Sequence, residues 1–175
     1  DSFELIGHFR AGPVTFAATG YTSFLRDYII REPTTYLGND THLEVPVVHN
    51  TNKGRGRIYG AEARVDVQLP VHLAVGGNLT FTHGRYEDEE LGWLPVSRIP
   101  PLFGAAHVRF TPPWQELFVD VYAHIAAKQE RLSPLDLTDA RIPEGGTPGW
   151  WTLNLRAGLR LHRAVHLSIG ATNLL

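Results

Sequence analysis

The segment from Trp150 to His162 alternates between apolar and polar residues with a period of two. Its odd positions are all apolar: Trp151, Leu153, Leu155, Ala157, Leu159 and Leu161. From Thr152 onward, its even positions carry no large apolar group: Thr152, Asn154, Arg156, Gly158, Arg160 and His162. A helix would spread these leucines around its circumference, whereas a strand directs alternate side chains to opposite faces. The period therefore predicts a β-strand with one apolar face.

The same alternation recurs along the chain and predicts an all-β protein of about eight antiparallel strands, with no helix of consequence. The predicted strands span residues 2–10, 13–30, 47–69, 71–86, 102–111, 116–130, 150–162 and 165–175. Gly 17 and Pro 12 are numerous for a helical protein and are typical of strands joined by turns.

Short connections alternate with long ones. The predicted short turns are 11–12, residue 70, 111–115 and 163–164. The long polar segments are 31–46, 87–101 and 131–149. Short turns at one end of the strands and long loops at the other are typical of up-and-down transmembrane β-barrels, whose long loops face the outside of the cell.

Alternation alone also fits a soluble sandwich or a lipocalin-like barrel, in which the apolar face points inward. Two features favour the inverted, lipid-facing arrangement. The polar face mixes small residues with charged ones, which suits a wet lumen. In addition, Tyr59, Phe81 and Trp151 each lie ten positions from a residue beside a short turn. Ten tilted strand residues climb on the order of 25 Å, which is the height of the apolar band in outer-membrane barrels.

Five stretches resemble segments of TonB-dependent outer-membrane receptors and occur in that family's order. They are Arg26–Ile29 (RDYI), Gly56–Glu62 (GRIYGAE), Arg98–Leu102 (RIPPL), Asp139–Trp150 and Ala171–Leu175 (ATNLL). The resemblance covers nearly the whole chain. It implies that the protein lies in the outer membrane of a Gram-negative bacterium. It also implies that these strands are part of a 22-stranded barrel with a globular plug inside it.

The resemblance further implies a receptor that takes up a scarce extracellular nutrient. We expect an iron–siderophore complex, with haem and cobalamin as alternatives within the family. Residues 1–175 are expected to be the C-terminal portion of the barrel, a fragment that supplies wall and extracellular loops. The plug, through which the TonB complex would act, and the last strand are expected to lie outside this chain. The other expected contacts are outer-membrane lipid and lipopolysaccharide.

Aromatic and arginine side chains near the long loops are the candidate ligand-binding residues, because they can grip a rigid chelate or an anionic siderophore. They are Tyr36, Tyr86, Trp93, Arg98, Arg131 and Arg141. The alternative is that these residues contact only water or lipopolysaccharide.

Other functional classes fit the residues poorly. A net charge of −2 argues against nucleic-acid binding. Because Cys is 0 and no histidine pair has the spacing of a zinc motif, we expect neither a metal site nor a cofactor. Ser168 and His166 could suggest an outer-membrane hydrolase, but no nucleophile-elbow pattern surrounds the serine, so we expect no enzyme. The remaining alternative is a smaller or soluble β-barrel that binds a ligand.

Overall fold

The computed structural model describes residues 1–114 and 116–175, apart from the side chain of Lys53. Gln115, the last residue of the predicted turn at 111–115, therefore lies outside the described residues. Within the described ranges, no helix is both long and apolar enough to cross a membrane.

All eight predicted strands are confirmed. They are β1 (Ser2–Ala11), β2 (Val14–Pro33), β5 (Val48–Leu69), β6 (Leu73–Asp88), β8 (Phe103–Phe110), β9 (Leu117–Ala126), β10 (Trp150–His162) and β11 (Val165–Ala171). The predicted long loops also contain short elements: β3 (Thr41–His42), β4 (Val45–Pro46), β7 (Gly92–Pro95) and a one-turn helix, α1 (Pro134–Leu137).

Two predicted strand ends were wrong. The strand predicted to reach residue 130 ends at Ala126, which pairs with Phe103 at the start of β8. Beyond it the pairing becomes irregular: the Ala127 N–H donates to the Leu102 carbonyl, and Gln129 forms an isolated bridge with Thr147. The strand predicted to reach residue 175 ends at Ala171. Just beyond it, Asn173 adopts a left-handed backbone (φ 55°) and donates its N–H to the side chain of Asn154 in β10 rather than to a backbone carbonyl.

The main sheet is an antiparallel meander in which each long strand pairs with its neighbour in sequence. Its order is β1-β2-β5-β6-β8-β9-β10-β11, with β7 added to β6. The sheet is open: among the described residues, β1 and β11 are its edges. Strands β3 and β4 form a separate hairpin within the loop between β2 and β5.

The strand register separates the side chains into two faces. One row across six strands contains Ala18, Ala63, Leu79, Gly104, Ile125 and Trp151, and we call this side the apolar face. The next row contains Ala17, Arg64, Asn78, Ala105, His124 and Thr152, and we call this side the polar face. The predicted alternation is therefore kept in register across most of the sheet.

Burial is inverted relative to a water-soluble β-protein. On the apolar face, Val75 and Leu155 are 37% and 38% exposed, whereas on the polar face Asp120 and Asn154 are each 3% exposed. No second layer covers the apolar face within the described part of the chain. An uncovered apolar sheet of this size would not be stable in water, so it requires an apolar partner.

The polar face is packed closely enough to require glycine. Tyr21 of β2 lies across Gly60 of β5, and its hydroxyl bonds the Thr82 side chain of β6 at 2.8 Å. A Cβ at Gly60 would collide with the Tyr21 ring and with backbone of β6. The Phe118 ring covers Gly158 in the same way.

Candidate ligand-binding surfaces

The centre of the polar face is organised around one buried carboxylate. Asp120 on β9 lies between Arg109 of β8 and Arg156 of β10 because the register places all three residues in one row. Its Oδ2 accepts hydrogen bonds from both guanidinium groups at 2.7 Å. The two arginines share one carboxylate and are themselves 41% and 49% exposed, so positive charge remains at the surface of this face.

A second ion pair lies beside this trio. Arg64 Nε donates to Asp66 Oδ2 at 2.6 Å, and His107 Nε2 approaches Asp66 Oδ1 at 3.6 Å. Together with the Asp120 trio these groups line a polar cavity of about 730 Å³, to which Arg10 also contributes. Four arginines and two aspartates line the cavity, so it favours an anionic occupant.

A smaller groove of about 340 Å³ lies at the long-loop end of the sheet. It brings together two of the predicted ligand-binding residues, Tyr86 and Arg98. Tyr28, Ser133 and Leu135 are among the other residues that line it. The Tyr28 ring is half-buried and lies 6.4 Å from the ring of Tyr86, which is buried at 4% exposure. The groove therefore combines one partly accessible aromatic ring, supported by a buried one, with the exposed guanidinium group of Arg98.

The sequence prediction missed Tyr28 because the backbone interrupts the alternation there. Asp27 has a φ of 53°, a left-handed conformation, and the Tyr28 ring beyond it would contact a Cβ placed on Gly56. Simple alternation would place Tyr28 on the apolar face with Phe24 and Arg26. The signal that could have located it is the Asp27 position itself, since Asp tolerates left-handed backbone better than most residues.

The loop that carries Ser133 is tied to the loop that carries Arg98. Ser133 caps α1: its N–H donates to Asp136 Oδ2, and its Oγ accepts the Asp136 N–H. The Ser97 hydroxyl donates to Asp136 Oδ1 at 2.6 Å. The buried Asp136 carboxylate therefore holds the two loops that form one side of the groove.

The other four predicted residues lie away from the groove. Tyr36 is exposed in the turn before β3 and packs edge-on against His42. Trp93 pairs with Glu87 on the outer side of the sheet, beneath the guanidinium group of Arg57. Their roles in ligand binding stay predictions.

Arg131 and Arg141 have structural partners in their own loops. Arg131 donates to the carbonyls of Thr82 and Pro100 and packs over the Phe81 ring, so it fills the gap in the wall where β8 has not yet begun. Arg141 forms a two-pronged pair with Asp139, at 2.6 and 2.8 Å. These bonds hold the pKa of the Asp139 carboxyl well below its usual range and raise the pKa of Arg141.

The described residues contain no group of three or more His, Cys, Asp or Glu side chains arranged to hold a metal ion. Ser168 and His166 face the same side of the edge strand β11, where they pair with Gly158 and Arg160.

Comparison with protein families matches residues 1–174 to the family described as TonB dependent receptor-like, beta-barrel. The chain belongs to this family. TonB-dependent receptor barrels are proteins of the outer membrane of Gram-negative bacteria, so the apolar face contacts lipid and the polar face is the inner wall of the barrel. The sequence interpretation of the two faces thus agrees with the family.

Among solved structures, the chain is similar to that of a protein named "Copper transporter OprC", with a TM-score of 0.80 and 19% sequence identity. The match covers 99% of this chain and 25% of that protein, so the chain spans about a quarter of its length. At this identity the likeness shows the fold alone. A search of curated proteins found no significant match.

Proposed function

We propose that this TonB-dependent receptor chain forms part of the wall and the extracellular loops of a transporter that imports an iron–siderophore complex. The observation that carries the proposal is the groove at the long-loop end, where Tyr28, Tyr86 and Arg98 converge. The Tyr28 ring, supported from behind by the buried Tyr86, would pack against the rigid body of a chelate, and Arg98 would pair with its anionic oxygens. No catalytic step is part of this function.

The inner wall supports an anionic cargo. Below the groove, the cavity around Asp120 and Asp66 carries more arginines than carboxylates. A negatively charged complex leaving the groove would therefore meet a favourable potential along the wall. Haem and cobalamin remain the alternative cargoes within the family, because each could use part of the same aromatic and cationic contacts.

We further propose that residues 1–175 are the C-terminal portion of the barrel, and that a plug outside this chain closes the lumen and contacts the TonB complex. The open sheet supports this arrangement, because a meander with two free edges reaches a closed lumen only when further strands complete it.

Copper is a second candidate cargo, favoured by the similarity to a protein named as a copper transporter. Copper(I) prefers sulfur ligands, and this chain has Cys 0 and Met 0, so any sulfur ligand would have to come from the rest of the receptor. The two cargoes therefore differ in how they depend on this chain: binding of a siderophore requires the groove, whereas binding of a copper ion does not.

The test is uptake by the full-length receptor in a host that lacks its own receptors. We expect growth on ferric siderophore under iron limitation, and we expect Arg98→Gln to weaken siderophore binding by about tenfold through loss of a charge-assisted contact. Arg163→Gln, in the short turn between β10 and β11, is the matched control. Copper uptake with no uptake from a panel of ferric siderophores would contradict the proposal, as would equal binding by the two variants.

A further inference from the structure

The apolar face ends at a belt of stacked rings. Tyr59 of β5 lies opposite His83 of β6, with ring centroids 5.0 Å apart, and Phe81 packs against both. Aromatic side chains of this kind mark the boundary between the lipid tails and the headgroups. This belt lies on the long-loop side of the sheet and so faces the outer leaflet.

One step above the belt, the membrane-facing side becomes cationic. The row beyond Tyr59 and His83 contains Phe24, Arg57, Arg85 and Pro95. The row after it contains Arg26, Arg55, Glu87 and Trp93. Each row rises by about 7 Å along a strand, which places these arginines at headgroup depth rather than in the lumen or in bulk water.

The central two cations of this surface have no counter-charge. Arg57 and Arg85 are directly opposite each other on adjacent strands, an arrangement that is destabilising for like charges. Among the described residues, no carboxylate forms an ion pair with either of them. Arg85 donates to the Trp93 carbonyl, and Arg57 lies 5.3 Å from the centre of the Trp93 ring. In contrast, Arg55 is paired bidentately with Glu87.

We propose that Arg57 and Arg85, with the Arg57 guanidinium group packed against the Trp93 ring, bind a phosphate group of a phosphorylated glycolipid in the outer leaflet. A phosphate placed between the two guanidinium groups would accept hydrogen bonds from both forks and remove their repulsion. The acyl chains of the same lipid would lie along the apolar face below, against the belt and Leu79. A free anion would contact only the two arginines and would leave the apolar face below them uncovered. A lipid fits better, because its phosphate and its acyl chains contact both parts of this surface.

The experiment measures lipid retained by the full-length receptor. Receptor stripped of lipid in detergent is titrated with diphosphorylated lipid A, with the same lipid lacking its phosphates, and with inorganic phosphate, and bound lipid is read by native mass spectrometry. We expect tight binding of the diphosphorylated lipid only. The double variant Arg57→Gln/Arg85→Gln should weaken that binding by at least about tenfold, because two charge-assisted contacts are lost.

Two further variants separate the site from general effects. Arg10→Gln/Arg160→Gln removes the same charge from the polar face and should bind lipid as the wild type does. Arg57→Lys/Arg85→Lys keeps the charge and should retain most binding even if the glutamine variant folds poorly. Retention of diphosphorylated lipid by a folded glutamine variant would overturn the proposal. Equal competition by inorganic phosphate at the same concentration would show an anion site and not a lipid site.

Discussion

At the scale of single residues, Asp120 is the buried carboxylate that joins three strands at the centre of the polar face. It is 3% exposed and is the only carboxylate that bonds Arg109 and Arg156 among the described residues. Without its charge, two arginines one strand apart on either side of β9 would repel each other across a neutral residue. The wall at this point is therefore held together by an ion trio, and both arginines also pack over the Phe118 ring.

We expect Asp120→Asn to lower the free energy of unfolding of the full-length barrel by about 1–2 kcal/mol, discounted because both arginines remain partly solvated. Urea unfolding in lipid, followed by loss of heat-resistant migration on gels, measures the change. Glu130→Gln breaks the exposed Lys128–Glu130 pair and should change the free energy of unfolding much less than Asp120→Asn does, because water and salt screen an exposed pair. If the two substitutions lowered the free energy of unfolding equally, the Asp120 trio would stabilise the barrel no more than an exposed ion pair does.

The Asp139–Arg141 pair predicts a pH response in the last long loop. Because Arg141 holds the pKa of Asp139 below its ordinary value, the contact stabilises the loop at and above the ordinary aspartate pKa. It should persist as the pH falls through that range and be lost only in stronger acid. An NMR titration of labelled aspartate carboxyls, with Asp139→Asn to assign the signal, measures the midpoint.

Arg141→Gln is the companion variant, and it should move the Asp139 midpoint upward toward the ordinary value. Arg98 lies 4.0 Å from the same carboxylate, so Arg98→Gln should move the midpoint in the same direction by a smaller amount. An unshifted midpoint in the Arg141 variant would contradict the pairing.

At the scale of elements, the period of two was sufficient to locate every long strand. It succeeds because each strand has one face in lipid and one in the lumen, so that a slip of one residue would expose the wrong set of side chains. The strand ends were harder to predict. Ala126 ends β9 opposite the start of β8, and Ala171 ends β11 just before the left-handed residue Asn173. Neither event leaves a mark in the hydrophobic pattern.

The candidate site was predicted less completely than the strands. The sequence singles out Tyr86, near the end of β6, and Arg98, in the loop after β7, because both lie at the long-loop end of the sheet, and both line the groove. Their role in ligand binding stays a prediction. Ser133 and Leu135 were missed, since their place depends on how one loop folds against another. Arg131 was assigned to ligand binding, yet its guanidinium group bonds wall carbonyls, which no local sequence pattern indicates.

The link between the two loops gives a prediction of its own. Asp136→Ala removes the carboxylate that accepts hydrogen bonds from the Ser133 N–H and the Ser97 hydroxyl. The free energy that keeps the loops at 96–102 and 127–149 closed should fall by about 1–2 kcal/mol, so both loops should open more often. Limited proteolysis of the full-length receptor on intact cells measures this as faster cleavage in both loops. Thr138→Val, which removes only a side-chain bond within α1, is the matched control and should leave loop 96–102 protected. Faster cleavage confined to 127–149 would show that the loops are not coupled.

At the scale of the whole molecule, the chain has almost no core of its own. The buried apolar residues among those described are few, namely Tyr86, Val96, Pro112 and Ala126, while side chains such as Leu5 and Ile169 are 79% and 75% exposed. Stability must therefore come from the backbone ladder, the polar inner wall and the surrounding lipid. Both edges, β1 and β11, also offer backbone groups to whatever strand approaches them.

This arrangement predicts that the 175-residue polypeptide folds only with the rest of its barrel. Expressed alone and transferred to lipid, it should aggregate through its edges and give no heat-resistant species on gels, because an open sheet leaves ladder groups exposed to hydrocarbon. Supplied as a separate chain together with the remaining strands of the receptor, it should form a heat-resistant complex, since both edges then gain partners. Proline substitutions at edge positions Leu5 and Ile169 test the cause: they should block this assembly, while proline in the exposed loop at Glu144 should not. A monomeric, protease-resistant form of the isolated polypeptide in lipid would show that the sheet closes on itself, and the larger barrel would then be unnecessary.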